Sequence, residues 1–129
     1  MAMKTFTFKR GDVYLVNFPL PDALGQTIPK VMLNLQEGRI IDHSPTMVGI
    51  IITTLKSSAR PELFPTDVLL SPQETKTQYG AKALCNQIHT IDKLQIIDFK
   101  YKLSPTTMLE INKRLFIGIG LIKFEDFLK

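Results

Sequence analysis

Apolar runs broken at short intervals by Pro, Gly and charged clusters set the pattern of this chain. After a short lead segment, residues 12–18 (DVYLVNF) are rich in β-branched and aromatic side chains and predict a strand. Gly11 supplies the turn that launches it, and Pro19-Leu20-Pro21-Asp22 breaks it into a loop running through Gly25. Residues 31–36 (VMLNLQ) predict a second strand. Residues 48–55 (VGIIITTL) form the most hydrophobic segment, and so continuous an apolar run predicts a central strand buried on both faces. A polar excursion over 37–46 separates these two strands, and a loop over 56–62 carries Lys56 and Arg60 with no apolar pattern. Residues 66–71 and 81–85 predict further short strands on either side of a polar turn region at 73–80.

Near the C-terminus the period changes. Ser104-Pro105 is a helix start signal, because a Ser oxygen accepts an orphan N–H and Pro fits the first helical position. Met108, Ile111, Leu115 and Ile119 follow at helical spacing and predict one face laid on the sheet, with Gly118 and Gly120 where the helix ends or bends. Many short strands and one late helix predict a mainly β (α+β) fold, a small and strongly bent β-barrel with a packed helix. At 129 residues the whole chain, 1–129, is expected to form a single domain.

Composition narrows the chemistry mostly by exclusion. The 44% hydrophobic and 22% charged content is that of an ordinary soluble globular protein. A net charge of +4 suits a phosphate-bearing partner without requiring one. The single cysteine, Cys85, cannot form an internal disulfide; it reads as a buried small hydrophobe and points to a reducing, cytoplasmic setting. Neither a signal-peptide core nor an apolar run of membrane length is present in the sequence, so no membrane association is expected. His43 and His89 stand far apart without Cys partners at zinc spacing, so no structural metal is expected. There is no Gly-rich phosphate loop and no Ser nucleophile elbow.

Five segments, taken in order, are more specific than any one of them. KRGDVYLVNF, KVMLNLQ, IITTLKSSARPELFPTDVLL, ALCNQIHTIDK and LSPTTMLEINKRLFIGIGL resemble the successive blocks of the MazF/PemK family of toxin endoribonucleases, over residues 9–121. The resemblance implies an SH3-like β-barrel with a C-terminal helix, assembled as a homodimer and partnered by a cognate antitoxin protein. It implies cleavage of single-stranded RNA without a metal or cofactor. In that reaction the ribose 2′-hydroxyl attacks the adjacent phosphate and leaves a 2′,3′-cyclic phosphate.

Carried onto this chain, the family's Arg falls on Lys30 and its Thr on Thr53, with Thr54 as a neighbour one residue along. Lys30 keeps the positive charge but lacks the planar fork that grips two phosphate oxygens. The family's Pro also moves, since Pro29 here precedes the cation. His89 sits where relatives often carry a basic residue, and its side chain suits acid–base work or an RNA contact. Lys56, Arg60, Asn86 and Gln87 are expected to bind substrate, and Tyr14 or Phe18 to stack on a base or to pack in the core. The Lys30 departure motivates a second reading, a catalytically weakened barrel that binds RNA or a protein. A third is a protein-targeting toxin of the CcdB type, which shares the barrel.

Overall fold

The computed structural model describes residues 7–21 and 24–127; the expected lead segment and the middle of the loop after Pro21 lie outside the described residues. Among the described residues six strands form, in chain order: β1 (Asp12–Pro19), β2 (Thr27–Asn34), β3 (Thr46–Thr54), β4 (Asp67–Leu70), β5 (Ala81–Asp92) and β6 (Ile96–Lys102). Helices interrupt or follow them: α1 (Arg39–Asp42), α2 (Pro72–Thr75), α3 (Pro105–Gly118) and α4 (Phe124–Phe127). The strands pair antiparallel in the order β4-β5-β3-β2-β1-β6. The result is the expected mainly-β, barrel-like architecture with a C-terminal helix.

Both faces of the sheet are buried over much of its area, as the apolar run in β3 predicts. On one face Val13, Leu33, Ile50, Ile52, Ala83 and Cys85 pack against Ile111 and Leu115 of α3. On the other, Tyr14, Val16, Met32, Ile51 and Ile91 pack with Phe8 and with Ile41 of α1. Burying each large aliphatic side chain contributes about 1.5–3 kcal/mol, so α3 is held chiefly by its Ile111–Leu115 stripe. Ile119, expected on that stripe, is instead exposed, because the helix ends at Gly118 and the chain turns away.

Several boundaries differ from the sequence expectation. β2 begins at Thr27 rather than residue 31, passing straight through Pro29. Proline is tolerated there because Pro29 lies opposite Asn17 of β1, whereas the ladder to β3 reaches only Val31. The strand ends at Asn34, not Gln36. The Asn34 side chain donates to the Lys9 and Gln36 carbonyls and accepts from the Gln36 N–H, which turns the chain. Gln36 then accepts from the Val48 N–H through Oε1 at 2.9 Å and guides β3 into register. β5 runs on to Asp92, beyond the expected 81–85, and β6 was not anticipated. In both, exposed polar positions dilute the apolar signal on which the strand reading rests.

Ser71 and Ser104 each precede a proline, and each hydroxyl accepts the N–H three residues on, from Glu74 and Thr107 respectively. A reciprocal capping box would have the third helical residue reach back to its own cap. Glu74 instead crosses to α3, accepting the Ser104 N–H at 2.5 Å and the Thr107 hydroxyl at 2.8 Å. One carboxylate thus sits at the positive end of α3 and ties it to α2. Replacing it (Glu74→Ala) is expected to cost about 1–2 kcal/mol of stability in urea unfolding, and Glu74→Gln less.

Candidate functional site

Two departures from a regular sheet build the candidate site. The first lies in β5. Ile50 pairs with Ile88 and Ile52 with Ala83, so the single residue Ile51 is opposed by β5 residues 84–87. The surplus bends β5 sharply and leaves Asn86 and Gln87 exposed at the bend. Gly118 supports the bend from behind. A Cβ there would lie 2.8 Å from the Cys85 carbonyl oxygen, so glycine is what allows α3 to approach.

The second departure is in the β1–β2 hairpin. Its strands stay paired out to Pro19 and Thr27, while the ladder between β2 and β3 stops at Val31 and Ile52. The free end curls over the sheet and carries Phe18 to His89 of β5, with ring centroids 5.0 Å apart in edge-to-face geometry. The Lys30 ammonium lies over the same Phe18 ring, 5.8 Å from its centroid. Lys30, Phe18 and His89, from three different strands, therefore meet, each half-buried.

Thr53 is exposed near the end of β3 and lies directly opposite Lys82 of β5. Strand alternation puts it on the same face as Ile51, and continuing the β2–β3 register by one residue sets Lys30 across from it. Thr53 and Lys82 are thus paired in the ladder, and Lys30 stands on the same face one residue beyond the last β2–β3 pair. Thr54 is opposite Ala81, and alternation turns it to the other face. Lys56 and Arg60 are exposed on the loop between β3 and β4. Arg60 lines a groove with Leu55, Ser58, Leu69 and Tyr79, a lining that includes neither Lys30 nor His89. The structure therefore brings Lys30, Thr53 and His89 to one face and sets Thr54 and Arg60 apart from them.

Sequence reasoning overlooked Lys82. Its signal is faint: the alternation Ala81-Lys82-Ala83-Leu84 puts a cation among small residues, but only the register shows that it faces Thr53. The Lys82 ammonium is 3.9 Å from an oxygen of Asp67 and 3.4 Å from the Glu62 carbonyl. Asp67 is itself buried; one carboxylate oxygen accepts the Phe64 N–H at 2.9 Å, and the other has no hydrogen-bond partner among the described residues.

Cys85 has no place in this chemistry. Burial first, and then the neighbouring Asp67 carboxylate, pushes its thiol up to about 12. Among the described residues, no cluster of His, Cys, Asp and Glu could hold a metal ion. What this face presents is a hydroxyl with a lysine on the strand to either side and an imidazole nearby, an arrangement that suits an anionic phosphate.

Known proteins share the family and the fold of this chain. The family model described as "PemK-like, MazF-like toxin of type II toxin-antitoxin system" matches residues 9–118. An endoribonuclease MazF of Staphylococcus epidermidis is 28% identical over 117 residues, covering 91% of this chain and 95% of that protein. Among solved structures, a mycobacterial endoribonuclease in complex with its cognate antitoxin superposes with a TM-score of 0.70 at 24% identity, over 90% of this chain and 98% of that one. A MazE–MazF structure from Deinococcus radiodurans gives 0.72 at 15% identity, over 92% and 100%.

The buried thiol and Tyr101, whose hydroxyl burial also pushes up to about 12, have a measurable consequence. The unfolded chain releases these protons first, so stability is expected to fall as pH rises from about 9 toward 12. Iodoacetamide at pH 8 is expected to leave Cys85 unmodified in the folded protein and to alkylate it in urea, with mass spectrometry as the readout.

Proposed function

The chain belongs to the PemK-like, MazF-like toxins of type II toxin–antitoxin systems, and from that premise we propose that it is an endoribonuclease cutting single-stranded RNA without a metal. The observation that carries the proposal is the placement of Lys30 and Thr53 on one face, with His89 drawn to Lys30 through Phe18. In the proposed reaction the ribose 2′-oxygen loses its proton and bonds to the adjacent phosphorus. The bond from phosphorus to the 5′-oxygen breaks, and that oxygen gains a proton. The products are a 2′,3′-cyclic phosphate and a 5′-hydroxyl. Lys30 places positive charge against the non-bridging oxygens as negative charge builds on phosphorus. Thr53 donates its hydroxyl to the same phosphate and fixes its position. His89 is the group in this cluster able to accept or return a proton, and Asn86 and Gln87 face the incoming strand from the β5 bend.

The proposed partners follow the same relatives. A cognate antitoxin covers the face that carries Lys30, Thr53 and His89, as an antitoxin accompanies the mycobacterial endoribonuclease. A second copy of the chain covers the apolar surface at the end of α3, where Phe116, Ile119 and Leu121 are exposed. No helix among the described residues is long and apolar enough to cross a membrane, and a toxin acting on RNA would work in the cytoplasm. One observation favours the weakened-barrel reading: the Lys30 ammonium already rests on Phe18 and has no bidentate grip to offer.

The test is cleavage of a long single-stranded RNA in EDTA. Wild-type protein is expected to cut, and Thr53→Ala and Lys30→Ala to cut at least about a hundredfold more slowly. Undiminished cutting by both variants would sink the site assignment. Salt-sensitive RNA binding with no cut product would select the weakened barrel instead.

A further inference from the structure

We propose that Lys82 is a second phosphate-binding cation of the site, so that two lysines on either side of Thr53 do what one guanidinium would do. The proposal rests on the functional reading above, in which Thr53 contacts the phosphate.

Lys82 is directly opposite Thr53 in the β3–β5 ladder, and directly opposite residues of an antiparallel pair share a face with Cβ atoms about 4.5–5.5 Å apart. Lys30 lies one residue beyond the last β2–β3 pair, on the other side of Thr53 and on the same face. A lysine stem spans such a gap, so a phosphate hydrogen-bonded to Thr53 is within reach of both ammonium groups. Each lysine is a point charge, and a pair of them flanking one anion restores the two-point contact that a lone lysine lacks.

Lys82 is also poised rather than used up. An ammonium has three donors. One is directed at the Glu62 carbonyl at 3.4 Å, while the Asp67 oxygen at 3.9 Å lies beyond hydrogen-bond distance. That Asp67 oxygen is already engaged by the Phe64 N–H. The Lys82 side chain keeps 24% of its surface exposed, whereas that of Asp67 keeps 1%. The carboxylate therefore anchors the ammonium from below and leaves its outer side to solvent and substrate. Across β5 the row ends at Leu69, which is opposite Lys82, is 52% exposed and lines the groove that carries Arg60.

Removing Lys82 alone strands the buried Asp67 carboxylate and can unfold the protein. The informative variant is therefore Lys82→Met combined with Asp67→Asn, compared with Asp67→Asn alone and with Lys82→Arg. Binding would be followed by anisotropy with a labelled 2′-O-methyl RNA dodecamer of mixed sequence, which cannot be cut, across a salt series. The double variant is expected to keep a cooperative thermal transition. It should bind about tenfold more weakly at 0.1 M salt and lower the slope of log K against log salt by about 0.7. Asp67→Asn alone and Lys82→Arg should keep the slope, and kcat/KM on cleavable RNA should follow the same order. If Thr53→Ala abolishes cleavage while the double variant keeps the wild-type slope and kcat/KM, the role of Lys82 is overturned and the site reading stands. If Thr53→Ala and Lys30→Ala both cut like wild type, the site reading is overturned and this proposal falls with it.

Discussion

Ile51 is the only residue of β3 between its two stretches of pairing with β5, and β5 spends residues 84–87 passing it. That mismatch bends β5, and the bend is tolerable only because α3 ends on a glycine at the Cys85 carbonyl. A side chain at position 118 would have to displace backbone, and backbone inside a packed sheet has little room to give. Past the bend, β5 turns His89 onto the face over which the β1–β2 hairpin curls, and Phe18 closes the distance. The site is thus a consequence of sheet irregularity, and the regular core on either side holds the irregularity in place.

Two cores share this work. The α3 side is anchored by Ile111 and Leu115 and by the carboxylate of Glu74 at the helix start. The opposite side is anchored by Met32, Ile51 and Ile91, which lie beneath the row of polar residues. Polar groups at the end of an apolar face sit beside low-dielectric surroundings, where charge on a bound phosphate is felt more strongly than in open water. Replacing a guanidinium with an ammonium weakens geometric grip more than charge, and the phosphate contact proposed for Lys82 answers that loss.

How much of this was legible in the sequence depends on the physical signal behind each part. The β3 run, the start of α3 at Ser104-Pro105 and the stripe through Ile111 and Leu115 carry strong local patterns, and the structure has them where those patterns say. The extension of β2 through Pro29 was hidden, because proline reads as a breaker and only its lack of a β3 partner makes it acceptable. The second half of β5 was hidden by its polar bend. Lys30 and Thr53 were reachable through family resemblance, since neither stands out locally. Lys82 carries only a faint local signal: its neighbour Thr53 is remote in sequence, and register across a bulged ladder is a property of the folded sheet. Thr54 shows the converse, a plausible neighbour in sequence that alternation turns to the other face.

The account stands most directly on the chemistry of the cut itself. End-group analysis by mass spectrometry, on fragments made by the wild-type protein in EDTA, reads that chemistry without assuming which residues perform it. Attack by the ribose 2′-hydroxyl, with Lys30, Thr53 and His89 around the phosphate, predicts fragments ending in 2′,3′-cyclic phosphate and beginning with 5′-hydroxyl. Fragments with 3′-hydroxyl and 5′-phosphate ends, the signature of water as nucleophile, would contradict it.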